Sequence, residues 1–145
     1  MAAAWEISPD GEQPERIIAG ETGLQKNLGY ENRIYADRCE THMMMDGRHT
    51  NRHNSLHGGI HAILLDSACG MAASRASSDD ASQLVVTLSL NTNYLSAPKH
   101  AHIYAVAKVS RAGRSVIYSD GQVFDGAGNL LATGSSVLKK VGQTT

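Results

Sequence analysis

Ser55-Leu56-His57-Gly58-Gly59-Ile60-His61-Ala62-Ile63-Leu64-Leu65-Asp66-Ser67 is the stretch that decides the fold. Two glycines open it, aliphatic residues follow, and one aspartate stands inside the apolar run. Residues 58–76 are dominated by alanine and leucine, with apolar residues on nearly every side. That is the pattern of a helix buried all round. A lone carboxylate buried there costs on the order of several kcal/mol unless it is paired or neutralised. Such groups are functional or salt-bridged. The helical neighbours Ala62, Leu65 and Gly70 offer Asp66 no cation, and His61, five residues back, stands at a poor spacing for contact. Two readings are open: a reactive carboxylate, or a structural pair with a distant arginine.

Downstream of Ser77-Ser78-Asp79-Asp80 the period changes to two. Leu84, Val86, Leu88, Leu90 and Tyr94 fall on one face of the predicted strand, and Thr87, Ser89, Asn91 and Asn93 on the other. Ser96-Ala97-Pro98 ends this strand, and Ile103, Ala105, Ala107 and Val109 mark the next. Arg111-Ala112-Gly113-Arg114 reads as a hairpin turn, residues 115–124 as a strand, 125–129 as a turn and 130–141 as a last strand. Short turns predict antiparallel neighbours.

Upstream, Ile34, Ala36 and Met43-Met44-Met45 suggest strand, Asp46-Gly47 a turn, and RHTNRHNSLHGG a polar loop. Residues 14–28 have room for a short helix around Ile17 and Ile18, weakened by Gly20 and Gly23. Residues 1–13 read as a loose terminus. The expected architecture is α+β, an antiparallel sheet wrapped around one long buried helix. Residues 1–28 form an N-terminal segment and 29–145 a single domain.

Bulk properties narrow the class. The 145 residues suit one core, and a net charge of −1 gives no nucleic-acid binder's basic excess. Cys39 and Cys69 make no disulfide framework, and Cys69 is expected to pack as a small hydrophobe. Free thiols, the lack of a secretory pattern at the start and the lack of a membrane-length apolar run point to a cytoplasmic protein.

Asn51-Arg52-His53-Asn54-Ser55-Leu56-His57-Gly58-Gly59, with Asp66 nine residues after His57, resembles the hotdog-fold acyl-CoA thioesterases. The match is to the phenylacetate-degradation (PaaI-like) branch. Val86-Thr87-Leu88-Ser89-Leu90-Asn91, Tyr94-Leu95 and Pro98 are similar as well, so the resemblance spans about Arg48 to Val141. The family has glycine where this chain has Asn54. Asparagine is the side chain that best tolerates a left-handed backbone there. Some branches carry threonine one turn after the acid, where Gly70 stands.

The resemblance implies hydrolysis of an acyl-CoA to free acid and CoA, with no cofactor and no metal. Free N–H groups and the dipole of a helix start can stabilise an oxyanion, so Gly58 is read as a backbone donor. The resemblance gives Asn51 the substrate carbonyl or the water, Asp66 the role of general base or nucleophile, and Thr87 the positioning of water. His57 orients the loop or caps the helix, and Gly59 joins the substrate-binding set. Lys99, Arg111, Arg114 and Lys139 are candidates for a basic rim meeting the CoA phosphates.

Asp66 lies eight residues beyond Gly58, roughly 12 Å along a helix axis. No aspartate side chain closes that gap. If both serve one reaction they come from different chains, which predicts a homo-oligomer. The family's sites likewise lie at a dimer interface, and it suggests a dimer of dimers.

Three rivals compete. His42, His49, His53, His57 and His61 crowd one stretch, but no HExxH or cysteine pair accompanies them. An enoyl-thioester hydratase would need an aspartate where Arg52 stands. A non-catalytic acyl-CoA binder would suit the fold but has no use for Asp66.

Overall fold

The computed structural model describes residues 10–142. The readings of the chain's start, a loose terminus and no secretory pattern, fall largely outside them. Three strands precede the long helix: β1 (Arg16–Ala19), β2 (Glu31–Ile34) and β3 (Cys39–Met44), with a short helix α1 (Gly23–Leu28) between the first two. The long helix α2 spans Gly58–Ser77, and β4 (Val85–Tyr94), β5 (His102–Ala112), β6 (Val116–Asp125) and β7 (Leu130–Lys140) follow. All seven strands form one antiparallel sheet in the order β1-β2-β3-β5-β6-β7-β4. This is the expected α+β arrangement.

Several local expectations need correction. Ile17 and Ile18 lie in β1, paired with β2, and the helix starts only at Gly23. Thr22 caps that helix and Gly29 closes it at φ 74°, so the glycines bound it rather than weaken its middle. The strand expected over residues 30–45 is two strands. β4 pairs with β7, not with β5, which follows it in the chain. Residues 95–101 carry the chain away from the edge to the middle of the sheet, a distance that turn composition does not encode.

The phase of β4 also differs. Its register against β7 shifts between Thr87 and Ser89, a bulge that turns over the alternation. Val85 and Leu90 pack on the core, while Val86 and Leu88 are exposed. Thr87 reaches α2 instead of facing away from it.

The sheet curls over one side of α2. Leu64, Leu65, Ala68, Cys69, Ala72 and Ala73 fill the space between them. Cys69 is free and buried, as is Cys39, and burial pushes the two thiols up to about 11 and about 12. The opposite stripe of α2, including Gly59 and Asp66, is not covered by the chain's own sheet. The helix is therefore buried on one side only, and Asp66 is exposed in the single chain. One sheet has no second layer with which to enclose the far side of a helix. Among the described residues no helix is long and apolar enough to cross a membrane.

Candidate active site

The site is built from the start of α2, a point two turns along it, and the strand beside it. At its start, Asn51 folds the preceding loop. Its Oδ1 accepts from the His53 N–H (2.9 Å) and the Ser55 N–H (3.2 Å), an Asx turn. Asn54 sits at φ 58°, the left-handed conformation expected where the family has glycine. With its oxygen engaged, Asn51 retains an Nδ2 that donates to none of the described residues.

His57 is the N-cap of α2, and its Nδ1 accepts from the Gly59 N–H at 2.8 Å. This bond leaves the His57 proton on Nε2. It also engages the N–H of Gly59, a residue expected in the substrate-binding set. Gly58 differs: its N–H donates to none of the described residues, as an oxyanion donor requires. The peptide is held from the other side by Tyr94, whose hydroxyl donates to the Gly58 carbonyl at 2.9 Å. A Cβ at Gly58 would stand 3.3 Å from the Tyr94 ring, a tight contact that glycine avoids. Tyr94 also meets the buried His61 edge-on, with ring centroids 5.4 Å apart. Burial pushes the His61 pKa below its ordinary value.

Two turns along α2, the Thr87 hydroxyl donates to Asp66 Oδ1 at 2.7 Å. The bond fixes the carboxylate rotamer and leaves Oδ2 and the threonine lone pairs open to a water. Asp66 forms no ion pair among the described residues, so the structural-pair reading has no partner here. The carboxylate lines a groove of about 540 Å³ with Thr87, Ser67, Gly70, Tyr30 and Asn32. Tyr30 and Asn32 were missed in the sequence. The only signal was a polar residue at an inward position of β2, two before Ile34.

The four candidate cations do not form one rim in a single chain. Arg111 and Arg114 flank the β5–β6 turn, and Lys139 pairs with Val116 at the same end of the sheet. Lys99 lies at the opposite end, where its N–H donates to Asp125 Oδ2. Of the crowded histidines, His49 is engaged by the Asp46 N–H and the Leu28 carbonyl, and His42 by Glu40 and His102. Among the described residues no three metal-ligating side chains come together.

Residues 53–132, more than half of the chain, match the model of the Thioesterase superfamily. ComA2 of Bacillus subtilis (strain 168) is 30% identical over 90 residues, covering 62% of this chain and 71% of ComA2. The fold is shared with the BH2602 protein of Bacillus halodurans, solved with CoA. The TM-score is 0.76 and the identity 29%, covering 85% of this chain and 81% of that one. It is also shared with PaaI of E. coli, from the phenylacetic acid degradation operon, with a TM-score of 0.74 at 19% identity and 86% and 88% coverage. The likeness to PaaI is one of fold. The chain belongs to the thioesterase superfamily and is a hotdog-fold thioester hydrolase.

Proposed function

We propose that the protein is an acyl-CoA thioesterase of PaaI-like type whose active site is shared between two copies of the chain. The observation that carries this reading is the separation of two prepared groups. The free Gly58 N–H and the Thr87-held Asp66 stand eight residues apart on the uncovered stripe of α2, too far for one substrate carbonyl to meet both. Strand β4 supports the same reading. It is a ten-residue edge strand with Leu88 57% and Tyr94 56% exposed, a surface that calls for cover. Thr87, near its start, holds Asp66, and Tyr94, at its end, holds Gly58. A two-fold axis through the middle of β4, pairing it antiparallel with its copy, exchanges the two ends. Gly58 then meets Asp66 of the partner subunit.

In this arrangement the thioester oxygen accepts from the Gly58 N–H and the Asn51 Nδ2. The partner subunit's Asp66 takes a proton from water, or attacks the carbonyl itself. On the first route the water oxygen bonds to the carbonyl carbon; on the second the carboxylate does, and water then hydrolyses the mixed anhydride. The C–S bond breaks, the thiolate takes up the proton drawn from water and leaves as CoA, and the free acid is released. The same two-fold brings the Lys99 end of one chain beside the turn end of the other, where Arg111, Arg114 and Lys139 stand. The split set of cations thus converges around one CoA.

Complementation tests the shared site. Asp66→Asn lowers kcat by about 100-fold or more, the usual reach of a general base. Gly58→Pro, which removes the donor, is also inactive. In a mixed dimer one site inherits both lesions and the other neither, so reassembly restores up to about half the sites by two-fold counting. Folded hetero-oligomers without activity would sink the shared-site reading.

A further inference from the structure

The groove beside Asp66 holds a polar side chain on β2 that the hydrolysis of a thioester does not itself call for. Asn32 lies on β2, is 6% exposed, and turns inward toward α2. Its Oδ1 accepts from two hydroxyls, Thr41 Oγ1 and Ser67 Oγ, each at 2.8 Å. The Nδ2 end is left over, and it donates to none of the described residues. Ser67 directly follows Asp66 in α2, so this amide is one residue removed from the reacting carboxylate. Tyr30, also buried, lines the same groove, with its hydroxyl beside Thr22 and Ser67. Apolar side chains line the groove as well: Met71, Leu84, Val85 and Leu138.

The amide opens on the groove, so a plain alkyl chain filling that space would displace the water that serves it and leave the donor buried without an acceptor, which is costly. A substrate oxygen would satisfy it.

Resting on the thioesterase reading above, we propose that Asn32 is a specificity-determining residue. Its Nδ2 donates to an oxygen on the acyl group, so the enzyme selects acyl-CoAs bearing a hydroxyl or carbonyl near the thioester over plain alkyl acyl-CoAs. The acyl group lies with its carbon skeleton on Met71 and Leu138 and its oxygen toward β2.

The test uses matched pairs: butanoyl-CoA against 3-hydroxybutanoyl-CoA, and hexanoyl-CoA against its 3-, 4- and 5-hydroxy and oxo forms. Wild type is expected to favour at least one oxygenated ester by about tenfold or more in kcat/KM, the size expected when a site's buried polar group is otherwise left unpaired. Asn32→Leu brings that ratio close to one. If the leucine variant does not fold, Asn32→Ser, which is smaller and cannot span to the substrate, serves in its place. No preference in wild type, or a preference that survives both substitutions, overturns the proposal. Calorimetry with non-hydrolysable thioether analogues of the same pairs reads the preference without turnover. A chain that hydrolyses none of the esters therefore refutes the thioesterase reading, while the thioether pairs still decide the role of Asn32.

Discussion

Tyr94 shows how a single side chain prepares another group's chemistry. Its hydroxyl and the His57 ring grip the Gly58–Gly59 peptide from opposite sides, at 2.9 Å and 2.8 Å. That grip sets the direction of the preceding N–H, the one left free for an oxyanion. Donors of this kind act through their aim, because they stabilise charge that exists only in the transition state. Tyr94→Phe keeps the ring beside Gly58 and removes only the hydroxyl. The expected outcome is a fall in kcat of roughly three- to tenfold, the size of one weakened hydrogen bond, with KM unchanged. The Gly59 amide resonance moves with it. A rise in KM alone would instead make Tyr94 a contact for substrate. At this level the expected burial of Asp66, not its role, is what the structure corrects. The reading of a fully buried carboxylate assumed a helix enclosed by its own chain, and the exposed stripe of α2 shows that it is not.

Helix α2 approaches the sheet at one narrow place. Gly121 and Gly134 are register partners on β6 and β7, and the tip of Leu65 sits between them. A Cβ at Gly121 would stand 2.8 Å from Leu65 Cδ2, and one at Gly134 would stand 3.0 Å from Leu65 Cδ1. Swinging Leu65 away from one glycine drives it into the other. Gly121→Ala is therefore expected to destabilise by about 1–3 kcal/mol, the usual cost of overpacking. Leu65→Val in the same chain recovers part of that, as chemical denaturation of the single and double variants would show. This contact also marks what could be read without coordinates. The helix was legible because its composition alone demands burial, and the turn residues at 111–114 and 125–129 located two hairpins. The placement of β4 was not legible. Its bulge at Leu88 leaves no mark in a two-residue alternation, and the pairing with β7 depends on contacts 38 to 55 residues apart. For the same reason Thr87 and Asp66 could be named but not brought together, and Lys99 was grouped with cations from the far end of the sheet.

Across the whole molecule, the face of the sheet turned from α2 carries a chain of buried polar groups. Arg38 Nε donates to Glu40 at 2.7 Å, Glu40 bonds His42 Nε2 at 2.8 Å, and His42 Nδ1 meets His102 Nε2 at 2.8 Å. Tyr104 stacks on His42, and Phe124 stacks on Tyr104. Burial pushes the His42 pKa below its ordinary value despite the Glu40 carboxylate. Burial, with the neighbouring His42, Arg33 and His100 charges, takes His102 from 6.5 to about 4. Both histidines thus bind protons less readily folded than unfolded. The contribution of His102 to stability is present above about pH 6.5 and is lost as pH falls toward about 4, and that of His42 falls in the same direction. Denaturation curves between pH 7.5 and 4 should show this decline, and His102→Phe should flatten it. A variant with the wild-type slope would place the acid sensitivity elsewhere. The order of strands has one more consequence, for the life of the nascent chain. β4 is made early, directly after α2, yet its hydrogen-bonded neighbour is β7, the last strand to be made. Until translation reaches Lys140, β4 lacks its only hydrogen-bonded neighbour in the sheet and both of its edges stand open on the ribosome.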